Sequence, residues 1–266
     1  MALEIVFVGV SGAALGAGEE TACYVVNGNI LIDTGWNAAV SMQSCDVAPT
    51  DIDHVLITHC HQDHTLGLPG LFFANRNRAQ ARPDAPAMQL YGTRDLPAIR
   101  DAACAMLQAD RDPQCVPEHE VRRVYPGDSL ELGAVKVDVG RAFHPLDARC
   151  YRFTDTATGA SVVFSGDSAY HEGLVSIARD CDVLIHEAAA GPDSELEARQ
   201  RYLHSRPQDA ARVAKEVGAV SLALVHYQQS AGPEILKRAK EIFPSTRLAR
   251  KGQRLQILGP GQAVWL

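Results

Sequence analysis

The sequence predicts an α/β fold with mixed β-sheets. Three observations carry that expectation: a hairpin-rich N-terminal stretch, a C-terminal part in which short apolar strands alternate with helices, and the repeated ending of those strands on a histidine or a carboxylate. LEIVFVGV (residues 3–10) is an apolar run leading into a Gly-rich turn. TACYVV and NILID follow, joined by Asn27-Gly28, a dipeptide that accepts the positive φ angles of a tight hairpin. DHVLITH (53–59) is the next strand, and its apolar run gives out where a histidine cluster begins, which puts that cluster on the loop leaving the strand. Residues 72–88 are polar and proline-bearing and read as a surface segment. Their Arg76, Arg78 and Arg82 could contact an anionic substrate, but the reading adopted is a solvated loop without a role. AMQLYG is a short strand, residues 94–108 a helix, and AVKVDVGRAFH (134–144) alternates like a strand that ends on His144.

The second half is more regular. ASVVFSGD is a strand ending on Asp167, GLVSIARD a short helix, and CDVLIHEA a strand reaching His186 and Glu187. Ser205 and Gln208 are expected to form a capping box. Ala210, Ala211, Ala214 and Val217 then supply an apolar helical face, Gly218 stops the helix, and VSLALVHY is a strand ending on His226. No low-complexity tract or Gly/Ser-rich linker argues for a cut, so residues 1–266 are read as one domain.

Composition narrows the setting. With 46% hydrophobic residues the chain can build a core without staples, and 25 basic against 32 acidic residues give a net charge of −7, which offers no general attraction to nucleic acid or to anionic membranes. Seven cysteines form no Cys-X-X-Cys pair and leave one over in any full disulfide scheme, so reduced thiols and a cytoplasmic location are expected. The opening MALEIVFVGVSGAALGAG carries Glu4 and no basic residue ahead of its apolar run, which favours a first strand over a signal peptide. No apolar run approaches a membrane span.

His59, His61, Asp63, His64, His144, Asp167, Glu187 and His226 all fall at or just past strand ends. Strand ends gather on one edge of a layered sheet, where residues distant in sequence can meet. Imidazoles and carboxylates without thiolates suit zinc, with manganese or iron as competitors. In His-X-His-X-Asp-His the first two histidines can turn to one cation while Asp63 and His64 face a second, and Asp167 is the candidate bridge. Two such cations could hold a bridging hydroxide that attacks an electrophile. Taken alone, a His-X-His is more often a polar loop, and a strand-end aspartate a turn former. Seven positions in one order change that balance.

These residues resemble the metallo-β-lactamase superfamily: THCHQDH matches its metal motif, and His144, Asp167 and His226 arrive in the expected order. The resemblance covers nearly the whole chain. It implies a four-layer αββα sandwich with two mixed sheets, two divalent metal ions held by His59, His61, Asp63, His64, His144, Asp167 and His226, and a role for Asp33 of LIDTG in orienting the metal loop. Gly166-Asp167, His186-Glu187-Ala188 and His204-Ser205 look most like the ribonuclease Z and arylsulfatase-type branch. That branch implies that His204, buttressed by an acidic partner such as Glu187, acts near the leaving group, where a histidine can protonate a departing oxygen, and it suggests a homodimer; the plainer readings are that His204 flanks the helix Ser205 begins and that Glu187 is a buried structural acceptor. In the hydrolytic scheme Asp63 helps orient the nucleophile. His54, His119, His171 and His186 match no family position and are read as structural or exposed. On a metal loop expected to be extended, Cys60 should point away from its histidine neighbours and pack rather than ligate.

The departures matter as much. Ribonuclease Z enzymes commonly insert a long arm that grips transfer RNA between the elements matching His144 and Asp167, and here only 22 residues separate the two. Gln62 replaces a usual glycine, and His204-Ser205-Arg206 a usual His-Ser-Thr. The expected activity is therefore hydrolysis of a phosphodiester, sulfate ester or related ester of a small molecule, with no nucleic-acid or membrane partner. The alternatives are a lactone, lactam or thioester hydrolase, an iron-dependent oxidoreductase, and a non-catalytic scaffold.

Overall fold

A computed structural model describes residues 3–266, apart from the side chains of 198–200. In chain order the strands are β1 (Leu3–Gly9), β2 (Cys23–Val26), β3 (Ile30–Ile32), β4 (His54–Leu56), β5 (Met88–Gly92), β6 (His119–Arg123), β7 (Ser129–Leu132), β8 (Val135–Arg141), β9 (Arg149–Asp155), β10 (Ser161–Phe164), β11 (Val183–Glu187), β12 (Ser221–Val225), β13 (Thr246–Leu248), β14 (Arg254–Gly259) and β15 (Gln262–Trp265). The helices are α1 (Ala38–Gln43), α2 (Gln62–Thr65), α3 (Leu68–Ala74), α4 (Arg78–Ala81), α5 (Leu96–Met106), α6 (Glu172–Ala178), α7 (Leu196–Tyr202), α8 (Pro207–Glu216) and α9 (Gly232–Lys240).

The strands form two mixed sheets, one ordered β15-β14-β1-β2-β3-β4-β5-β6 and the other β13-β12-β11-β10-β9-β8-β7. Their central strands, such as β1, β2, β10 and β11, are buried on both faces because both faces are covered, while the edge strands β6, β7 and β15 are partly exposed. Along β1, Ile5 and Phe7 join the core between the sheets, while Val6 and Val8 join the core beneath α1, α3 and α5. In the second sheet Val162 and Phe164 face inward, and Val163 packs outward with Leu174 of α6, Ala211 and Ala214 of α8, and Ile235 of α9. The period-two alternation thus builds three apolar layers between four layers of structure, the αββα sandwich.

Three local expectations need correction. Residues 72–88 do not simply wander: Phe72 and Phe73 lie in α3, and Arg78 is buried. Its guanidinium reaches the Asp53 carboxylate and the Thr50 carbonyl, and Arg82 pairs with Asp53 at 3.2 Å. Asp53 precedes β4 while the histidine cluster follows it, so these arginines anchor a helix at the far end of the strand. The capping frame is also shifted by one residue. Pro207 takes the first position of α8, where its missing N–H costs nothing, so Asp209 accepts from the Arg206 amide at 3.2 Å, and Ser205 Oγ instead donates to the Ser168 carbonyl at 2.7 Å. Finally, the metal loop is not extended throughout. It closes into the single turn α2, braced by Thr65 Oγ1 donating to the His61 carbonyl at 2.8 Å.

Candidate metal centre

Both sheets deliver polar side chains to one edge. The segment after β4 brings His59, His61, Asp63 and His64; His144 follows β8, Asp167 follows β10, and His226 follows β12. All except His61 are buried. They meet as two clusters, each drawing on both sheets: His59, His61, His144 and Asp167 in one, Asp63, His64 and His226 in the other, with candidate ligand atoms in each within 4.8 Å of one another.

In the first cluster His59 Nε2 lies 2.9 Å, and His144 Nε2 3.1 Å, from His61 Nδ1. Nitrogens about 2.05 Å from a tetrahedral zinc stand roughly 3.3 Å apart, so three rings converging this closely fit one cation. Burial lowers the pKa of His59, His61 and His144, the last to about 4, so these imidazoles are neutral and have lone pairs to give. In the second cluster His226 Nε2 lies 3.1 Å from Asp63 Oδ2. His64 Nε2 is buried without a hydrogen-bond partner, 3.5 Å from Asp167 Oδ2 and 3.8 Å from Asp63 Oδ2. A buried, unpartnered nitrogen facing two carboxylates fits a divalent cation as their common partner. Asp167 Oδ2 also lies 3.8 Å from His59 Nε2, so this carboxylate stands between the clusters. Burial opposes its charge, but His226, His64 and His59 hold its pKa well below the usual range.

The backbone is bent to achieve this. Gly166 has φ +58°, and a Cβ there would meet the Arg149 carbonyl at 2.8 Å, so only glycine turns the chain out of β10 to present Asp167. Asp33 and His226 also hold positive φ, 54° and 52°. Asp33 ties the loop down: Oδ1 accepts from the Thr58 amide at 2.7 Å, and Oδ2 accepts from Thr58 Oγ1 and His64 Nδ1, each at 2.8 Å. That bond places the His64 proton on Nδ1 and frees Nε2.

At the edge of the centre, His204 Nδ1 donates to Glu187 Oε1 at 3.1 Å and lies 3.9 Å from Asp167 Oδ2. Burial works against a charged His204, yet the Glu187 carboxylate outweighs it and raises the pKa to about 9. Glu187 is also a structural acceptor, taking the amides of Ser168 and Ser205 on Oε1 and that of Ala189 on Oε2. His186, whose pKa burial lowers, bonds the Glu187 carbonyl; His171 caps α6, and His54 and His119 begin strands at the opposite end. Cys60 turns to Thr93 Oγ1 at 3.6 Å and packs on the outer core, and burial pushes its thiol up to about 11.

Sequence reasoning missed Glu20 and Thr21. Buried Glu20 accepts from the amides of Trp36 and Asn37 and from Ser41 Oγ, while Thr21 Oγ1 donates to the Asp63 carbonyl at 2.6 Å. They lie in the irregular segment just before β2, where no local pattern marks a polar anchor, so only the three-dimensional contacts reveal them.

Residues 28–227 match the profile of the β-lactamase superfamily domain, three quarters of the chain and every candidate ligand. The chain belongs to the metallo-β-lactamase superfamily. Within that superfamily it lies in the ribonuclease Z-like branch. Ribonuclease Z of Bacillus subtilis (strain 168) is 28% identical over 269 residues, covering 81% of this chain and 84% of that protein. The metallo-β-lactamase fold protein YhfI from Bacillus subtilis superposes with a TM-score of 0.79 at 23% identity, covering 96% of this chain and all of that one. A diphosphatase from the PhnP family gives a TM-score of 0.73 at 18% identity, covering 100% and 99%. These structures share the metallo-β-lactamase fold with the present chain, and the superfamily is one of hydrolases with divalent metals at such His/Asp clusters.

Proposed function

We propose that this protein is a dinuclear metal-dependent hydrolase of a small-molecule phosphodiester or related ester, sulfate esters included. The observation that carries the reading is the meeting of two His/Asp clusters on one carboxylate, Asp167, with the His204–Glu187 pair beside it. His59, His61 and His144 would hold one divalent cation and Asp63, His64 and His226 the other, zinc being the first choice and manganese or iron the alternatives. Such a pair, when bound, supplies Lewis acidity and lowers the pKa of water toward neutrality.

The chain's own groups do the rest. Asp63 orients the attacking water. His204, with Nδ1 engaged by Glu187, keeps Nε2 for passing a proton to the departing oxygen. Cations near Asp167 and Asp63 would offset part of the negative charge that, with Glu187, raises the His204 pKa. Similarity to a protein named ribonuclease Z, and a fold shared with a diphosphatase, support a phosphorus centre over a carbonyl. The 22 residues between His144 and Asp167 and the net charge of −7 support a small molecule over RNA. Seven free thiols fit a reducing, cytoplasmic setting, and no described helix is long and apolar enough to cross a membrane.

The test combines metal analysis with chromogenic phosphodiesters and sulfate esters. Two divalent ions per chain are expected, with turnover abolished by a chelator and restored by zinc or manganese. Turnover that survives chelation, or an Asp167→Ala protein retaining both metals and full activity, refutes the reading.

A further inference from the structure

Arg141 ends β8 directly across the ladder from Arg149 on β9. Like charges facing each other in an antiparallel pair are destabilising. Arg149 is answered: it is buried, forks onto Asp147 with Nη1–Oδ1 2.6 Å and Nη2–Oδ2 3.0 Å, and donates from Nε to the Val124 carbonyl. Arg141 is exposed, and among the described residues no carboxylate lies within ion-pair distance of it. The two line one solvent-open groove together with Arg94, Tyr125, Leu146 and His144. Arg94 is also exposed; its amide donates to Asp147 Oδ2 at 3.5 Å, and among the described residues its guanidinium has one ion pair, a loose one to Asp95 at 4.0 Å. Three arginines against Asp147 leave two positive charges in this groove, on a chain whose net charge is −7. Because His144 both lines the groove and belongs to the first cluster, the groove lies beside the candidate metal centre.

We infer that this groove is a subsite for a second anionic group, phosphate or carboxylate, on the molecule cleaved at the metal centre, with Arg141 as its principal contact and Arg94 assisting. The inference rests on the hydrolase reading and narrows it to substrates bearing a negative charge away from the scissile ester. An arginine held across from another arginine gains its counter-charge when such a ligand binds, and its planar fork suits an oxyanion.

The test compares methyl p-nitrophenyl phosphate with the p-nitrophenyl phosphodiester of 3-hydroxypropionate, which adds one carboxylate. Charge-assisted hydrogen bonds of this kind carry about a tenfold effect. Arg141→Gln should therefore raise KM for the carboxylate-bearing substrate, relative to the methyl ester, about tenfold with little change in the kcat ratio; Arg141→Lys should recover part of it, and high salt should shrink it. An unchanged KM ratio overturns the subsite and leaves the hydrolase reading intact. If metal-loaded wild-type protein turns over neither these substrates nor the sulfate esters, the hydrolase reading fails, and calorimetry of phenyl phosphate binding to chelator-treated protein decides the subsite. Binding weakened about tenfold by Arg141→Gln supports it; equal binding by both proteins, or none, overturns it.

Discussion

Replacing Asp33 with asparagine separates orientation from ligation at the second cluster. A carboxylate only accepts, so with Oδ2 2.8 Å from His64 Nδ1 the ring must carry its proton there and offer Nε2 as a lone pair. Asparagine is nearly isosteric, and its carbonyl can keep the Thr58 amide now held at 2.7 Å. Its NH2 group then faces His64, Nδ1 becomes the acceptor, and the proton moves to Nε2, where a metal should bind. Loss of such a supporting partner typically weakens metal binding 10- to 100-fold, about 1.4 to 2.7 kcal/mol. Because His64 belongs to the second cluster and not the first, one metal should be affected far more than the other. Chelator competition monitored by mass spectrometry of bound metal measures this directly, and the thermal midpoint of the metal-free variant should stay close to that of metal-free wild type. An Asp33→Asn protein that holds both metals with wild-type affinity would refute the orienting role of Asp33.

Three further outcomes are expected. Gly166→Ala places a Cβ 2.8 Å from the Arg149 carbonyl at a φ of +58°, so it should cost about 3 kcal/mol and displace Asp167, read as a lower thermal midpoint together with lost metal. Asp53→Asn leaves buried Arg78 without its carboxylate and should cost about 2 kcal/mol at neutral pH. Burial opposes the Asp53 charge, but Asn29, Arg82 and Arg78 hold its pKa below the ordinary value; the stabilisation is therefore complete above about 3.9 and lost as pH falls through the depressed value, so the gap between variant and wild type should close in acid titrations. Cys60→Ala should retain both metals and lose no more than about 2 kcal/mol, and the wild-type thiol, pushed up to about 11, should resist alkylation in the folded protein at neutral pH.

Much of this was legible in the sequence, for identifiable reasons. Asn27-Gly28 specified its hairpin through backbone conformation alone, and both residues hold positive φ. The candidate ligands stood out because each interrupts or follows an apolar run, and strand ends converge by topology. What escaped depends on contacts between distant segments. Arg78 looks like any loop arginine until Asp53, 25 residues earlier, accepts from it. The start of α8 slipped by a residue because the Ser205 hydroxyl turns to donate to the Ser168 carbonyl, 37 residues away, rather than to accept an amide of the helix it precedes. Glu20 serves amides that no local pattern brings near it.

Each candidate metal cluster takes ligands from both sheets. A cation held there is a cross-link, and its binding energy becomes folding energy by mass action: free metal at a hundred times Kd adds about 2.7 kcal/mol per site. Metal supply would then govern how long the molecule survives as well as how fast it turns over. Hydrogen exchange should show this as faster opening of the strand ends around Asp167 and His226 in the stripped protein, while the opposite rim, where Arg78 clasps Asp53, keeps its protection.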